Sequence, residues 1–527
     1  MTDITVRVDC NDMRGPLPPI WRSFGYDEIN WTYTRRGQQT LAAIGRLSSE
    51  PYAIRCHNAF TSGNALSTPT KGSTNVVVSV HQGELQLDFT LLDRVLETFL
   101  QNRCKPIVEL GFMPDALSKG RNPGPTYNYA GTDLWRYPPK DYTLWRDLVH
   151  ATVKHCVATF GEAEIAGWFW ELWNEPDNPG FFAGSVKDYC KLYDYTADGA
   201  VAAFDAVRIG APGLATDPKF LTKFLRHCQR GKNAATGKRG TRLDFVSLHA
   251  KGTDWPLKDR PFVMPALRKI LSHLGDYERV LSKFPEFRKL PLLLDECDMA
   301  VATNFGVHDF PAFEFNNSEY FPIFVIRMAK HIWDFMAEQD LDIRLFTTWA
   351  FYFEGKRFFE GNRALFTNED VRKPVFNAFT MLEKLGPVRL GLRLNPENAH
   401  LHNEGDVDGL ATKGEDDEIA VLVWNFAENE GSADQQANLI LSGLNSNTAR
   451  FAMEHWRIDR ATSNAWSEWK GMGSPEVPSS EQISRMKAKQ GLELSRRRTY
   501  VDVECGELVL TLQLPGQSVT LVQLSPP

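Results

Sequence analysis

The chain has 527 residues, 43% of them hydrophobic and 12% aromatic, a composition that excludes disordered, collagen-like and low-complexity proteins and suits one large domain plus a smaller one. Sixty-six acidic against 59 basic side chains leave a net charge of −7, which disfavours nucleic acid as a partner and favours a neutral or small ligand. No run reaches the roughly 18 apolar residues of a membrane helix, and Met1–Arg7 lacks the basic-then-apolar pattern of a secretory leader, so no membrane partner and a cytoplasmic location are expected.

In chain order, Ile4–Cys10 alternates like a half-buried strand. Eight short runs rich in β-branched and aromatic residues follow: Ile20–Gly25, Ala53–His57, Pro106–Phe112, Gly167–Glu175, Val207–Gly213, Phe245–Lys251, Pro291–Cys297 and Ile343–Phe351. Between them, helical spacing covers Leu91–Asn102, Tyr142–Phe160, Val186–Phe204, Pro218–Cys228, Met264–Phe284 and Tyr320–Glu338. Eight strands alternating with helices predict an α/β fold, a (β/α)8 TIM barrel over residues 20–390. After Pro387 the texture changes to short alternating strands, Ile419–Trp424, Ala437–Leu441, Tyr500–Val503 and Leu508–Leu514, which predicts an antiparallel β-sandwich over residues 391–527. Residues 1–19 are expected to lend that sandwich a strand. Arg121–Lys140 and Asn304–Asn317 lack periodicity and read as long loops on the active-site face.

The eight cysteines are scattered, with no C-x-x-C pair, and read as free thiols. Two N-x-[ST] sequons, at Asn30 and Asn316, matter only on a secretory route. Phosphate-loop, dinucleotide, zinc-protease and serine-hydrolase signatures are missing, so no cofactor is expected.

What remains is polar residues at the C-terminal ends of strands, which in a barrel converge on one pocket. Glu175, in Trp168-Phe169-Trp170-Glu171-Leu172-Trp173-Asn174-Glu175-Pro176-Asp177, closes the fourth strand, is edged by tryptophans, and is placed to act as a general acid. Glu296, in Leu292-Leu293-Leu294-Asp295-Glu296-Cys297-Asp298, closes the seventh. Two carboxylates about 5–5.5 Å apart permit double displacement with retention. The bland alternative makes each a satisfied strand-end carboxylate or a helix cap. A metal site from His249, Asp295, Glu296 and Asp298 is disfavoured because neighbouring strand residues face opposite sides, and Cys297 lacks an activating histidine.

Trp173-Asn174-Glu175-Pro176 is similar to the acid/base motif of retaining glycoside hydrolases on (β/α)8 barrels, whose two glutamates end strands four and seven. With Ile54-Arg55-Cys56-His57, Val108-Glu109-Leu110-Gly111-Phe112-Met113-Pro114, Phe245-Val246-Ser247-Leu248-His249-Ala250-Lys251-Gly252 and Thr348-Trp349-Ala350-Phe351-Tyr352-Phe353-Glu354, the chain resembles glycoside hydrolase family 39, which contains β-D-xylosidases and α-L-iduronidases. The resemblance implies Glu175 as acid/base and Glu296 as nucleophile, with His57 and Asn174 on sugar hydroxyls. His249, Lys251, Trp349 and Glu354 are implied to line the sugar site, and Arg55 either pairs structurally or orients the carboxylates. Asp295-Glu296-Cys297-Asp298 is closer to the iduronidase form of the nucleophile segment, while Gly111-Phe112-Met113-Pro114 and the Trp349–Glu354 segment are closer to the xylosidase form. A lysine at the pocket rim can read a uronate carboxylate or simply pair with Glu354 or Asp298.

The expectation is therefore a retaining exo-acting β-xylosidase that takes a small oligosaccharide or glycoside, uses no metal or organic cofactor, and exists as a monomer or homo-oligomer. An iduronidase, or another uronate-removing enzyme, is the alternative within the class. A catalytically idle carbohydrate-binding barrel is the alternative outside it.

Overall fold

Parallel strands joined by helices need both faces of their sheet covered, and this chain meets that need by curling the sheet into a ring. The computed structural model describes residues 4–65, 72–120, 133–302, 305–349, 351, 357–395, 406–429, 431–444 and 449–526. Eight parallel strands run round the ring in chain order: Ser23–Tyr26, Tyr52–Cys56, Cys104–Leu110, Phe169–Leu172, Arg208–Leu214, Phe245–Lys251, Leu292–Asp298 and Ile343–Phe346. Just past the eighth strand, Thr348 bridges Phe24 and accepts from the Gly25 amide at 3.2 Å, closing the ring. Each expected run overlaps one of these strands. The fourth, however, ends at Leu172, short of Glu175, because Trp173 and Glu175 both take positive φ (67° and 44°) and turn the chain out of the sheet.

Gly25 shows how tight the closure is. A Cβ there would lie 2.1 Å from the Trp349 ring. Gly25→Ala should displace that indole and cost about 1–3 kcal/mol, visible as a lower Tm together with a raised KM. A variant of unchanged Tm and KM would show that the ring has room to move.

The helices start where side chains satisfy their free amides. Asp141 caps Tyr142–Phe160, Ser185 and Asp188 form a reciprocal capping box on Val186–Ala203, and Asp217 followed by Pro218 opens Pro218–Arg230. The sixth and seventh strands are buried at every position, as strands covered on both faces must be.

Nine further strands form a second sheet, in the order Glu493–Asp502, Arg450–Ile458, Ser518–Ser525, Ile419–Phe426, Asp406–Lys413, Val388–Asn395, Ile4–Pro16, Gln435–Ser442 and Leu508–Leu514. All neighbours are antiparallel except Ile4–Pro16 with Gln435–Ser442. Val8, Val421, Leu439, Met453 and Leu512 share one apolar cluster, so the sheet folds over on itself and its halves face each other. The opposite side of Ile419–Phe426, with Leu422, Trp424 and Phe426, joins the barrel core.

Where the sequence suggested only short strands, two helices intervene: Ala465–Gly471 and Ser480–Lys489. Ala465 and Met486 bury themselves against Phe358, Phe359 and Val371, beyond the eighth barrel strand. Asn464 donates to Glu319 at 3.1 Å, and Lys470 pairs with Glu314 at 2.8 Å, so the excursion also braces the segment after the seventh.

The cysteines are unpaired, seven buried and Cys505 exposed. Both sequon asparagines are buried and hydrogen-bonded, Asn30 to Tyr33 and Ser73, Asn316 to Gly361. Among the described residues, no helix is long and apolar enough to cross a membrane.

Candidate active site

The C-terminal ends of the strands open on a cavity of about 590 Å³. Its walls include Asp27, His57, Asn174, Glu175, Lys251, Glu296 and Trp349, six residues from four different strand ends and the loop after the first strand's end, plus the Trp349 indole. Glu175 enters from the turn after the fourth strand, where its amide donates to Gly213 O at 2.8 Å. Its carboxyl meets His249 Nδ1 at 3.2 Å and accepts from Asn178 Nδ2 at 2.9 Å. The tryptophans beside it in sequence do not share the cavity: Trp168, Trp170 and Trp173 are fully buried in the core. The indoles that line the cavity, Trp135, Trp255 and Trp349, come from distant loops.

Glu296 lies on the opposite wall, almost wholly buried. Lys251 Nζ is 3.1 Å from one oxygen and Arg55 Nη1 is 3.3 Å from the other, with His57 and His249 each at 3.6 Å. Burial opposes its ionisation, yet His249, Lys251, Arg55 and His57 together hold the carboxyl well below the ordinary range. Oxygens of Glu175 and Glu296 come within 4.8 Å of each other, with His249 Nδ1 or Nε2 inside the same span. Three such atoms can bracket a cation, but Arg55 and Lys251 already bring two positive charges to Glu296, and a further cation would meet their repulsion.

Arg55 is the hub. It has no exposed surface, and its guanidinium reaches Glu171 Oε2 at 2.7 Å, Glu109 Oε2 at 2.9 Å, Asn174 Oδ1 at 3.0 Å and Asp295 Oδ2 at 3.2 Å, besides Glu296. It also stacks over Trp349, 5.1 Å from the ring centroid. Burial works against its charge, but the carboxylates prevail and push its pKa well up. Strict alternation should have sent Asp295 and Glu296 to opposite sides. Instead the register with the sixth strand slips between Leu293 and Glu296, and both side chains reach the interior.

The structure gathers His57, Asn174, Glu175, His249, Lys251, Glu296 and Trp349 within one site, whereas Glu354 lies outside the described residues. His57 bonds Glu109 at 2.5 Å and packs at a tilt against Trp349, ring centroids 4.5 Å apart. Lys251 bonds Asp298 at 2.8 Å as well as Glu296, and burial lowers its pKa despite the pull of Glu296. Arg363, also buried, contacts Asp298 from behind, and desolvation brings its pKa down to about 9. Sequence reasoning passed over Asp27, Trp135, Glu171 and Arg363. Glu171 alone carried a usable signal, a charged residue inside an otherwise apolar strand.

Two opposed carboxylates at the mouth of a (β/α)8 barrel, one hydrogen-bonded at the rim and one surrounded by cations, are an arrangement suited to glycoside hydrolysis. The chain belongs to the glycosyl hydrolases family 39, whose profile matches residues 4–498. It is 27% identical to a beta-xylosidase of Geobacillus stearothermophilus over 452 residues, covering 83% of this chain and 80% of that one. It is 25% identical to an alpha-L-iduronidase of Mus musculus, covering 98% and 80%. In fold it matches a bacterial orthologue of human α-L-iduronidase with a TM-score of 0.80 at 22% identity, covering 100% of this chain and 84% of the other. It matches a monomeric beta-xylosidase of Caulobacter crescentus CB15 with a TM-score of 0.78 at 20% identity, covering 99% of each.

Proposed function

We propose that the protein is a retaining exo-glycosidase that removes terminal β-D-xylosyl residues from oligosaccharides, with Glu175 as acid/base and Glu296 as nucleophile. The observation that carries the mechanism is the approach of the two carboxylates to within 4.8 Å, too close to seat the water an inverting enzyme needs. Glu296 attacks the anomeric carbon while Glu175 protonates the departing oxygen. Glu175, relieved of its proton, then activates the water that cleaves the glycosyl-enzyme ester. Asn174, its Oδ1 taken by Arg55, keeps its amide N–H groups for the sugar's 2-hydroxyl, where a hydrogen bond can strengthen as positive charge develops.

A xyloside leaves nothing at C5 to be recognised, and Lys251 is already engaged by Glu296 and Asp298. The same lysine supports a second reading, α-L-iduronide hydrolysis, because it stands in the cavity wall with one N–H left to give. Paired aryl β-D-xyloside and aryl α-L-iduronide, assayed across roughly pH 4–8, separate the two. Preference for the xyloside is expected, preference for the iduronide installs the second reading, and silence on both sinks the two together.

Lys251→Met sharpens the comparison. On the xyloside it should lower kcat about tenfold and move the acid limb of the rate profile to higher pH, because Glu296 loses a cation that keeps it ionised. Loss confined to an anionic substrate, with the xyloside limb unmoved, would make Lys251 a carboxylate reader instead.

A further inference from the structure

Four carboxylates from three strands, Glu109, Glu171, Asp295 and Glu296, surround the single guanidinium of Arg55. All but Glu296 have no exposed surface. Asp295 is the anomaly among them. Arg55 Nε lies 3.2 Å from its Oδ2 but directs its hydrogen to Glu171 Oε2 at 2.7 Å. His249 Nε2 is 3.8 Å from Oδ1, beyond hydrogen-bond reach. As a carboxylate, Asp295 would therefore receive no hydrogen bond at either oxygen among the described residues. A fully buried anion without a donor is among the costliest arrangements a protein can hold. A proton removes the difficulty, because a carboxylic acid is itself a donor, and Glu171, whose carboxyl reaches the same Arg55 Nε, is the acceptor beside it.

We propose that Asp295 is a neutral carboxylic acid in the working enzyme, giving its proton to Glu171, and that this pair is a positioning device for the nucleophile. Glu171, fixed by that bond, holds Arg55 Nε, so that Nη1 is turned toward Glu296. The groups facing the pair from the surrounding elements are Arg55, Glu109, His249 and Glu296, with the Tyr189 and Tyr277 hydroxyls bonded to backbone carbonyls nearby. Burial, and then the charge of Glu171, raises the pKa of Asp295; burial also works against the charge of Glu171, but Arg55 together with the hydrogen bonds from Asp295 and Ser247 lowers its pKa, in keeping with this division. Gly213 makes the arrangement possible: at φ +56° it can adopt its bend, and a Cβ there would come 2.9 Å from Glu171 Oε1. The positioning role rests on Glu296 as nucleophile; the protonation state does not.

The test compares near-isosteres. Asp295→Asn keeps the shape, the neutrality and a donor toward Glu171, so kcat on an activated aryl glycoside should stay within about threefold of the parent. Glu171→Gln removes the charge that Arg55 Nε grips and should lower kcat about 100-fold or more, with KM nearly unchanged. Equal damage from the two variants would overturn the proposal. Infrared spectra read the proton itself: in a Glu175→Gln background, which silences the general acid, a protonated carboxyl band sensitive to deuterium exchange should be present at neutral pH. It should vanish when Asp295→Asn is added. A spectrum unchanged by that addition would overturn the protonation whatever the kinetics show. Should Asp295→Asn not fold, side-chain carboxyl 13C shifts of aspartate in the Glu175→Gln enzyme across roughly pH 5–8 must show one buried aspartate that stays protonated, and their failure to do so would count equally against it.

Discussion

Glu296→Ala is expected to lose turnover of every glycoside by about 10⁴-fold or more, because Glu296 is the carboxylate that approaches Glu175 across the cavity, in position to form the covalent ester. Glu175→Ala should behave differently. Substrates with poor leaving groups should lose as much, whereas aryl glycosides with activated leaving groups, which need little protonation, should still form the glycosyl-enzyme and then stall. Azide, which needs no general base, should release the stalled enzyme and give a glycosyl azide of retained configuration. An equally inactive Glu175→Ala enzyme with intact folding, or an azide product of inverted configuration, would refute the assignment. The parent's rate should also hold on acidification to below the ordinary carboxylate range, because the cations around Glu296 keep this proposed nucleophile ionised there.

Arg55→Leu is expected to be the most destabilising single change in the barrel. It removes the shared cation of four carboxyl groups, at least three of them charged, that have almost no access to water. Breaking one buried pair from one side costs about 3–5 kcal/mol, and here several are broken together. Thermal melting should show a large fall in Tm, or the variant should not accumulate as folded protein. The pH dependence has a definite sign. Glu296 has a folded pKa below its unfolded value, so its pairing stabilises the parent at and above the ordinary carboxylate range and is lost only as pH falls through the lower folded value. Removing Arg55 should bring acid unfolding to higher pH. A folded Arg55→Leu enzyme with the parent's Tm would mean that the carboxylates take up protons or water without penalty.

Much of this was legible in the sequence, and particular residues show why the rest was not. Hydrophobic periodicity and the spacing of apolar runs located all eight barrel strands, because a strand buried on both faces leaves a plain apolar signature. The motif around Glu175 and the position of Glu296 at a strand end pointed to one pocket, and the structure brings both there. The helices Ala465–Gly471 and Ser480–Lys489 escaped notice because they are short, and their apolar residues are spent on the barrel rather than on a self-contained amphipathic face. That Asp295 and Glu296 both face the interior was not legible, because alternation, which places neighbours on opposite sides, is a rule of regular strands and the slipped register beside Glu296 breaks it. Arg55 was named, but its five polar partners come from three other strands and the turn after one of them, information that only the closed ring contains.

The strand Ile4–Pro16 lies inside the second sheet, flanked by Val388–Asn395 and Gln435–Ser442, so its hydrogen-bonding edges are filled by segments translated almost a whole barrel later. On the ribosome it must wait on the order of tens of seconds for those partners, with Val6 and Val8 exposed for that time. The barrel can form in the interval; the sheet cannot. Vectorial synthesis therefore sets an order of assembly in which a strand made before the barrel is among the last elements to be secured, and a chaperone that shields this strand during synthesis should raise the yield of folded enzyme more than one that acts after release.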